Sequence, residues 1–315
     1  MFNLKRIIFL CMLAGFLVVV VGCPTQKSKL DSLSKRYQEE PTITVYLHET
    51  DETQEMALEQ YLVGVVAAEM EPQWEAEALA AQAILARTFT LKKIEDGGVK
   101  KRGTDASTDI EEFQSYDTER INEKVRQAIA DTRGVVAIYK GKLINAWFHA
   151  DSGGVTAASA EEGLAFTEEK TPYIKSVKDP GFEITAPENK SWTARIALSQ
   201  VRQAVTEATG ADPGEVANFE VLEKGSSGRV TQVRVGDLTL SGPAFRLALD
   251  STIVRSTLWD LAQVEENELV LSGKGYGHGV GLSQWGAKAL AEKGHSAAEI
   301  VDFFFDGIEL ADLWD

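Results

Sequence analysis

The stretch TITVYLHETDETQEMALEQYLVGVVAAEM, Thr42–Met70, changes its period part-way along. Over Thr42–Leu47 the apolar Ile43, Val45 and Leu47 alternate with polar neighbours, which is the period of a half-buried strand. From Met56 the spacing lengthens. Leu58, Tyr61, Leu62, Val65 and Val66 then recur as one face of a helix, which Pro72 ends just past Met70. Outward from there, an alanine-rich helix runs from Glu75 to about Ile94 and is stopped by Gly97-Gly98, and Asp105–Phe113 is loop-like. Glu119–Asp131 is again helical. Val135–Tyr139 and Leu143–His149 read as a hairpin turning at Gly141-Lys142, its second strand running into Ser152-Gly153-Gly154.

Beyond Pro180 the chain resembles a semi-separate unit, with a strand at Trp192–Ile196, a helix at Leu198–Ala208, and strands at Phe219–Glu223, Val230–Val235 and Leu238–Leu240. A short helix at Ser241–Leu249 follows, then the glycine-rich Gly273–Gly281 and helices at Ser283–Lys293 and Ala297–Phe304. Helices and strands alternate without a βαβ cadence. The expected fold class is therefore α+β, a core of mixed helices and antiparallel strands at 42–315 carrying a smaller β-rich subdomain at about 185–270.

Composition narrows the functions. With 44% apolar residues the 315-residue chain is core-forming, and 32 basic against 48 acidic residues give a net charge of −16. Such a surface repels phosphate, so nucleic acid is excluded as a partner. Both cysteines, Cys11 and Cys23, lie in the first 23 residues, which rules out a disulfide framework or a cysteine-ligated zinc in the body of the protein. Lys5 and Arg6 precede the apolar run Ile7–Val21, so residues 1–22 read as a secretory signal. That run is short of the roughly twenty residues a membrane span needs. It closes on Val20-Val21-Gly22-Cys23, which resembles a bacterial lipoprotein box with Cys23 as the lipidated residue. An uncleaved anchor helix is the alternative, and either way the body is tethered to the outer face of the membrane by way of the polar stalk at 23–41.

Three positions could carry chemistry. Glu69 follows Val66, Val65, Leu62 and Leu58 at offsets of 3, 4, 7 and 11, which places a carboxylate on the apolar stripe. Desolvation there raises a carboxyl pKa toward the range of a general acid; alternatively the stripe ends one turn early and Glu69 faces solvent. Arg87 follows Ala76, Ala80 and Ala83 on a face suited to close packing against the preceding helix. There it fixes substrate or orients Glu69, or else it only edges a helix contact. Gly273–Gly281 has five glycines in nine residues around His278, lacks the Lys-Ser/Thr ending of a phosphate loop, and leads into Ser283, Gln284 and Trp285. His278 reads as a cleft residue or as a structural turn histidine. His149, Asp151 and Ser152 have neither a second ligand at metal spacing nor a nucleophile elbow.

YLVGVVAAEM (Tyr61–Met70), EALAAQA (Glu77–Ala83), ARTF (Ala86–Phe89) and GYGHGVGLSQWGA (Gly275–Ala287) together resemble the stage II sporulation protein D family. Phe148-His149, Gly153–Thr156 and TPYIKSV (Thr171–Val177) are further landmarks between about Thr42 and Leu310. That family includes a sporulation lytic transglycosylase and amidase-enhancer proteins. The resemblance implies an extracytoplasmic enzyme of cell-wall remodelling or sporulation that cleaves peptidoglycan glycan strands between muramic acid and glucosamine. Glu69 would be the single catalytic acid/base, with Arg87, Tyr173, Lys175, His278 and Gln284 binding the glycan. The enhancer name within the family offers a second reading, a non-catalytic enhancer of a cell-wall amidase, and a wall-binding structural lipoprotein is a third; a carboxylate on an apolar face has no purpose in either, which favours the enzyme. Some members carry zinc on histidines and a cysteine near the Gly-Gly motif. Here His149 stands without such a cysteine, so no metal and no cofactor is carried over. Ser159–Thr167 lacks an expected Asp-Val-Trp-like stretch, and Gly-Tyr-Gly-His replaces Gly-Trp-Gly-His. Both departures bear on substrate preference.

Overall fold

The computed structural model describes residues 33–315; the signal-like segment, Cys23 and the stalk as far as residue 32 lie outside the described residues. Strand β1 (Thr42–Leu47) pairs antiparallel with β2 (Glu52–Ala57), Thr42 opposite Ala57 and Leu47 opposite Glu52. Met56, expected in the first helix, belongs to β2. This edge strand exposes its first four residues and so shows no apolar period to read. Helix α1 (Leu58–Glu69) starts two residues later and buries Leu58, Tyr61, Leu62, Val65 and Val66 completely.

Helix α2 (Ala76–Glu95) is the axis of the larger core. Its buried alanines, Ala78, Ala80, Ala81, Ala83 and Ala86, let neighbouring elements approach on several sides, and a helix buried all round needs little amphipathic pattern. The two-residue β3 (Ala106–Ser107) adds to β1 in parallel. Helix α3 (Glu123–Asp131) begins later than its sequence suggests because the Asn122 side chain accepts the Val125 N–H at 3.0 Å and caps it. Strand β4 (Val135–Tyr139) is followed by the short β5 (Lys142–Leu143) and β6 (Phe148–His149). Leu143–His149 is thus not one strand. The N–H of Asn145 donates to the Tyr173 hydroxyl at 2.9 Å rather than to a ladder partner, and the hairpin breaks there.

Helix α4 (Ala160–Leu164), a 3-10 turn at Pro180–Glu183 and α5 (Pro187–Lys190) lead into a second hydrophobic core. That core is built by β7 (Trp192–Ala197), α6 (Leu198–Thr209), β8 (Phe219–Lys224), β9 (Val230–Val235), β10 (Leu238–Ser241), α7 (Gly242–Ala248), β11 (Trp259–Glu265) and β12 (Glu268–Gly273). Two antiparallel sheets, in the orders β10-β9-β8 and β11-β12-β7, enclose Trp192, Val205, Val233, Phe245, Trp259 and Leu271. The chain then returns to the first core through β13 (Leu282–Ser283), α8 (Gln284–Ala291), α9 (Ala297–Phe304) and β14 (Glu309–Asp312), the last pairing antiparallel with β4. The fold is α+β, with mixed helices and mainly antiparallel strands.

Buried charge joins the two cores. Arg229, the residue just before β9 and 1% exposed, donates from Nη2 to the Ser152 carbonyl at 2.7 Å and from Nη1 to Ser227 Oγ at 2.9 Å. Glu162 of α4 accepts the Ser227 N–H at 2.8 Å and its hydroxyl at 2.9 Å, and Ser152 Oγ donates to Asp179 at 2.6 Å.

Candidate active site

Glu69 is the last residue of α1, at the point where the chain leaves the apolar stripe for Pro72. Its carboxylate is half-buried at the wall of a cleft of about 540 Å³. Oε1 accepts the backbone N–H of Ser115 at 2.9 Å, and Oε2 accepts Nε2–H of Gln284, the first residue of α8, at 3.1 Å. Burial pushes the Glu69 pKa above the usual carboxylate range, and those two donors, with the Ser115 hydroxyl, pull part of it back. The charged and protonated forms are thereby brought closer in free energy, which proton exchange with a substrate requires.

The cleft walls are aromatic and cationic. Phe89 and Lys93 of α2, Phe113, Trp147, Phe148 and Tyr276 line it together with Arg246 of α7. Phe89 meets Phe113 and Phe148 edge-on at 5.4 and 6.3 Å between centroids, and Tyr276 carries the Arg255 guanidinium 4.1 Å over its ring. Such faces suit sugar rings, whose C–H faces pack on aromatics while their hydroxyls seek polar groups. Ile110, 67% exposed, stands at the rim.

Strands β6 and β13 pair in parallel, Ser283 opposite His149, and this register delivers two histidines to the cleft. Gly277 makes the approach possible. It has φ +111°, and a Cβ there would lie 2.7 Å from that of His149. The two imidazoles come within 5.4 Å of each other. His278 Nδ1 accepts the Val280 N–H at 3.0 Å, which assigns its proton to Nε2, and burial lowers its pKa to about 3. His149 places Nδ1 3.2 Å from the Val280 carbonyl, leaving Nε2 as a buried lone pair with no partner. Burial, and then the neighbouring His278 and Arg229, push its pKa well down. Both rings are neutral at neutral pH and accept or donate hydrogen bonds without acting as acids. They do not make up a zinc ligand set. Among the described residues no group of three or more His, Cys, Asp or Glu is placed to hold a metal.

Glu69, His278 and Gln284, singled out in the sequence, are therefore brought together. Arg87 is not among them. It is fully buried, donates Nε–H and Nη2–H to the two oxygens of Glu59 at 2.9 and 2.6 Å, and gives Nη1–H to the Val135 carbonyl at 2.9 Å. The expectation that it orients Glu69 or touches substrate is corrected: Glu59, at the other end of α1, takes two of the guanidinium nitrogens and the Val135 carbonyl takes the third. Tyr173 and Lys175 also stand outside the cleft. The Tyr173 hydroxyl accepts from Asn145 and its ring packs on Tyr139, while Lys175 Nζ donates to the Asp302 carbonyl at 3.0 Å. Sequence reasoning missed the Ser115 N–H, which as backbone leaves no residue signal, and Arg246, which lies outside every motif quoted above.

A family model described as stage II sporulation protein matches residues 46–139, and one described as a domain of unknown function (DUF8618) matches residues 177–281. An uncharacterised protein of Brachyspira hyodysenteriae is 30% identical over 262 residues, covering 82% of this chain and 67% of its own length. The chain belongs to the stage II sporulation protein D family. A Bacillus subtilis relative of that name is 28% identical over 295 residues, covering 86% of this chain and 79% of its own. The amidase enhancer of the same organism is 29% identical, with only 40% of its length matched. The cleft draws on both matched segments, Glu69, Phe89, Lys93 and Phe113 from the first and Arg246, Tyr276 and His278 from the second.

Proposed function

We propose that this chain is a lytic transglycosylase that cuts peptidoglycan glycan strands between muramic acid and glucosamine, with Glu69 as its one acid/base. The observation that carries the reading is a half-buried carboxyl of raised pKa, held by neutral donors of Ser115 and Gln284, in a cleft walled by aromatic rings. The protonated carboxyl gives its proton to the glycosidic oxygen as the C1–O bond breaks. It then takes the proton of the sugar's own 6-hydroxyl as that oxygen closes on C1, leaving a 1,6-anhydro end and no water consumed. Most glycosidases use two carboxyl groups. Of the other acids lining this cleft, Glu112 is engaged by Arg102 and Lys101, which hold it down at about 2, and Glu111 lies on the rim loop. The names stage II sporulation protein D and amidase enhancer among the relatives support a substrate in the cell wall.

Digestion of glycan strands by the full-length chain in oxygen-18 water, followed by mass spectrometry, tests the chemistry. Anhydromuramoyl ends without label are expected, and none in Glu69→Gln. Labelled reducing ends would make the enzyme a hydrolase and direct attention to Glu111. A second reading, suggested by the amidase-enhancer relative, is that the chain stimulates a separate amidase. In that case Glu69→Gln stimulates as well as wild type and neither protein cuts glycan. We place the chain at the outer face of the membrane through a lipid on Cys23; fatty-acid label in wild type and none in Cys23→Ala is the expected result.

A further inference from the structure

Arg246 is 8% exposed, yet no carboxylate among the described residues pairs with it. Its one hydrogen bond runs from Nη2 to the Ser251 carbonyl at 3.2 Å, its Nε is buried without a partner, and its side chain lines the cleft that holds Glu69. The other buried arginines differ. Arg87 has Glu59, and Arg229 has two hydrogen-bond partners with Glu162, Asp179 and Asp151 close by. A desolvated cation without a counter-charge costs several kcal/mol, and a fold keeps one where a ligand supplies the missing anion. Burial lowers the Arg246 pKa only to about 10, so the group stays charged at neutral pH. Its planar fork of donors matches a carboxylate in particular.

We propose that Arg246 is the specificity-determining residue of the cleft, a carboxylate-binding arginine supplied by the second core to position a glycan that carries a carboxylate on or next to the sugar being cut. This rests on the reading of the Glu69 cleft as a glycan site. Two sources present that chemistry, the free lactyl carboxylate of a muramic acid stripped of its peptide and a carboxylate on an intact peptide arm. Arg255, stacked on Tyr276, and the Ser251 carbonyl fix the local geometry from the same core. The second core thus contributes recognition, while α1 contributes the reacting acid.

The test is equilibrium binding to the full-length Glu69→Gln chain, which separates recognition from turnover. Three ligands of equal length are compared: glycan with free lactyl groups, glycan with intact peptides, and N-acetylglucosamine oligomers that have no carboxylate. At least one carboxylate-bearing glycan is expected to bind about tenfold more tightly than the uncharged oligomer, and Arg246→Met to erase that difference. Preference for the stripped strand assigns the lactyl group, and preference for the intact strand assigns the peptide; either supports the proposal. Arg246→Lys should keep part of the preference. Because no carboxylate among the described residues pairs with Arg246, Arg246→Met should melt at or above the parent temperature. Equal weakening toward all three ligands, a lowered melting temperature with binding lost throughout, or no carboxylate preference in the parent would each overturn the proposal. Cleavage by wild type without that preference would overturn this proposal alone, whereas an Arg246-dependent preference with no cleavage would remove only the transglycosylase reading.

Discussion

Glu59 and Glu69 stand at opposite ends of α1 and meet opposite surroundings. Glu59 accepts from Arg87, from the Gly134 N–H and from the Trp314 indole N–H, so a buried ion pair is fully hydrogen-bonded. Among the described residues Glu69 meets only neutral donors, from Ser115 and Gln284. Losing one partner of a buried pair leaves an uncompensated charge, so Arg87→Ala should cost about 3–5 kcal/mol in denaturant unfolding. The fraction that remains folded in the cold should retain the specific activity of wild type; activity lost in fully folded protein would return Arg87 to the site. Glu69 invites a different experiment. A general acid must be protonated to act, so cleavage falls as pH rises through its pKa. Gln284→Ala removes a donor that favours the charged form, and the alkaline limb of kcat/KM should move to higher pH with folding intact; an unmoved limb would detach Gln284 from the acid. The apolar offsets behind Glu69 were legible because one helix holds them all. Arg87 was misplaced because an alanine face says only that a neighbour is close. The chain turns back between Met70 and Glu75, and residues equidistant from that turn meet, so Arg87 finds Glu59 rather than Glu69.

Among elements, the contact between α1 and the segment before α3 sets the acid's environment. Gly64 lies on α1 where the Tyr116 ring stacks over Tyr61, with centroids 5.6 Å apart and planes 10° apart, and a Cβ on Gly64 would fall 2.3 Å from Tyr116 Cε2. Gly64→Ala must therefore lift Tyr116 and drag the neighbouring Ser115 N–H away from Glu69. A stability loss of about 1–3 kcal/mol from overpacking is expected, together with the same upward move of the alkaline limb as in Gln284→Ala. A stability loss with an unmoved limb would show that the segment is free to adjust. Long periodic elements such as β1, α1 and α2 were readable from their own residues. β2 was not, since an edge strand needs no buried side chains, and the break after Leu143 was not, since it depends on a bond from Asn145 to Tyr173 across the chain. The meeting of His149 with His278 was hidden for the same reason, because it is set by the register of β6 on β13.

At the scale of the molecule, Asp151 is where the two cores exchange backbone hydrogen bonds. Its N–H donates to the Tyr276 carbonyl at 2.9 Å, and the Tyr276 N–H returns to its carbonyl at 2.8 Å. Burial raises its carboxyl from 3.8 to about 6 against the pull of the Gly153 N–H and Thr185. The folded state thus holds this proton more tightly than the unfolded state. Its contribution to stability is fullest below about pH 4, declines as pH rises to about 6, and is flat beyond. Asp151→Asn should abolish that slope and add up to about 3 kcal/mol at neutral pH. A variant with the wild-type pH profile would assign the slope to other groups. The α+β class was legible from the missing βαβ cadence. The union of two cores around one cleft was not, because Arg229, Glu162 and Asp179 lie far apart in sequence and acquire partners only on folding.

The Trp314 indole also bears on the order of events during synthesis. It completes the hydrogen bonding of Glu59, 255 residues earlier in the chain, while β14 supplies an edge of the β4 sheet. Until residues 309–314 have been made and have docked, the growing chain consequently carries an open sheet edge and a buried carboxylate one donor short. A chain stopped after Ile308 should stay in that condition, cut by protease within 42–139 where the full chain resists. Residues 309–314 thus act as a latch that closes late on a fold begun at β1.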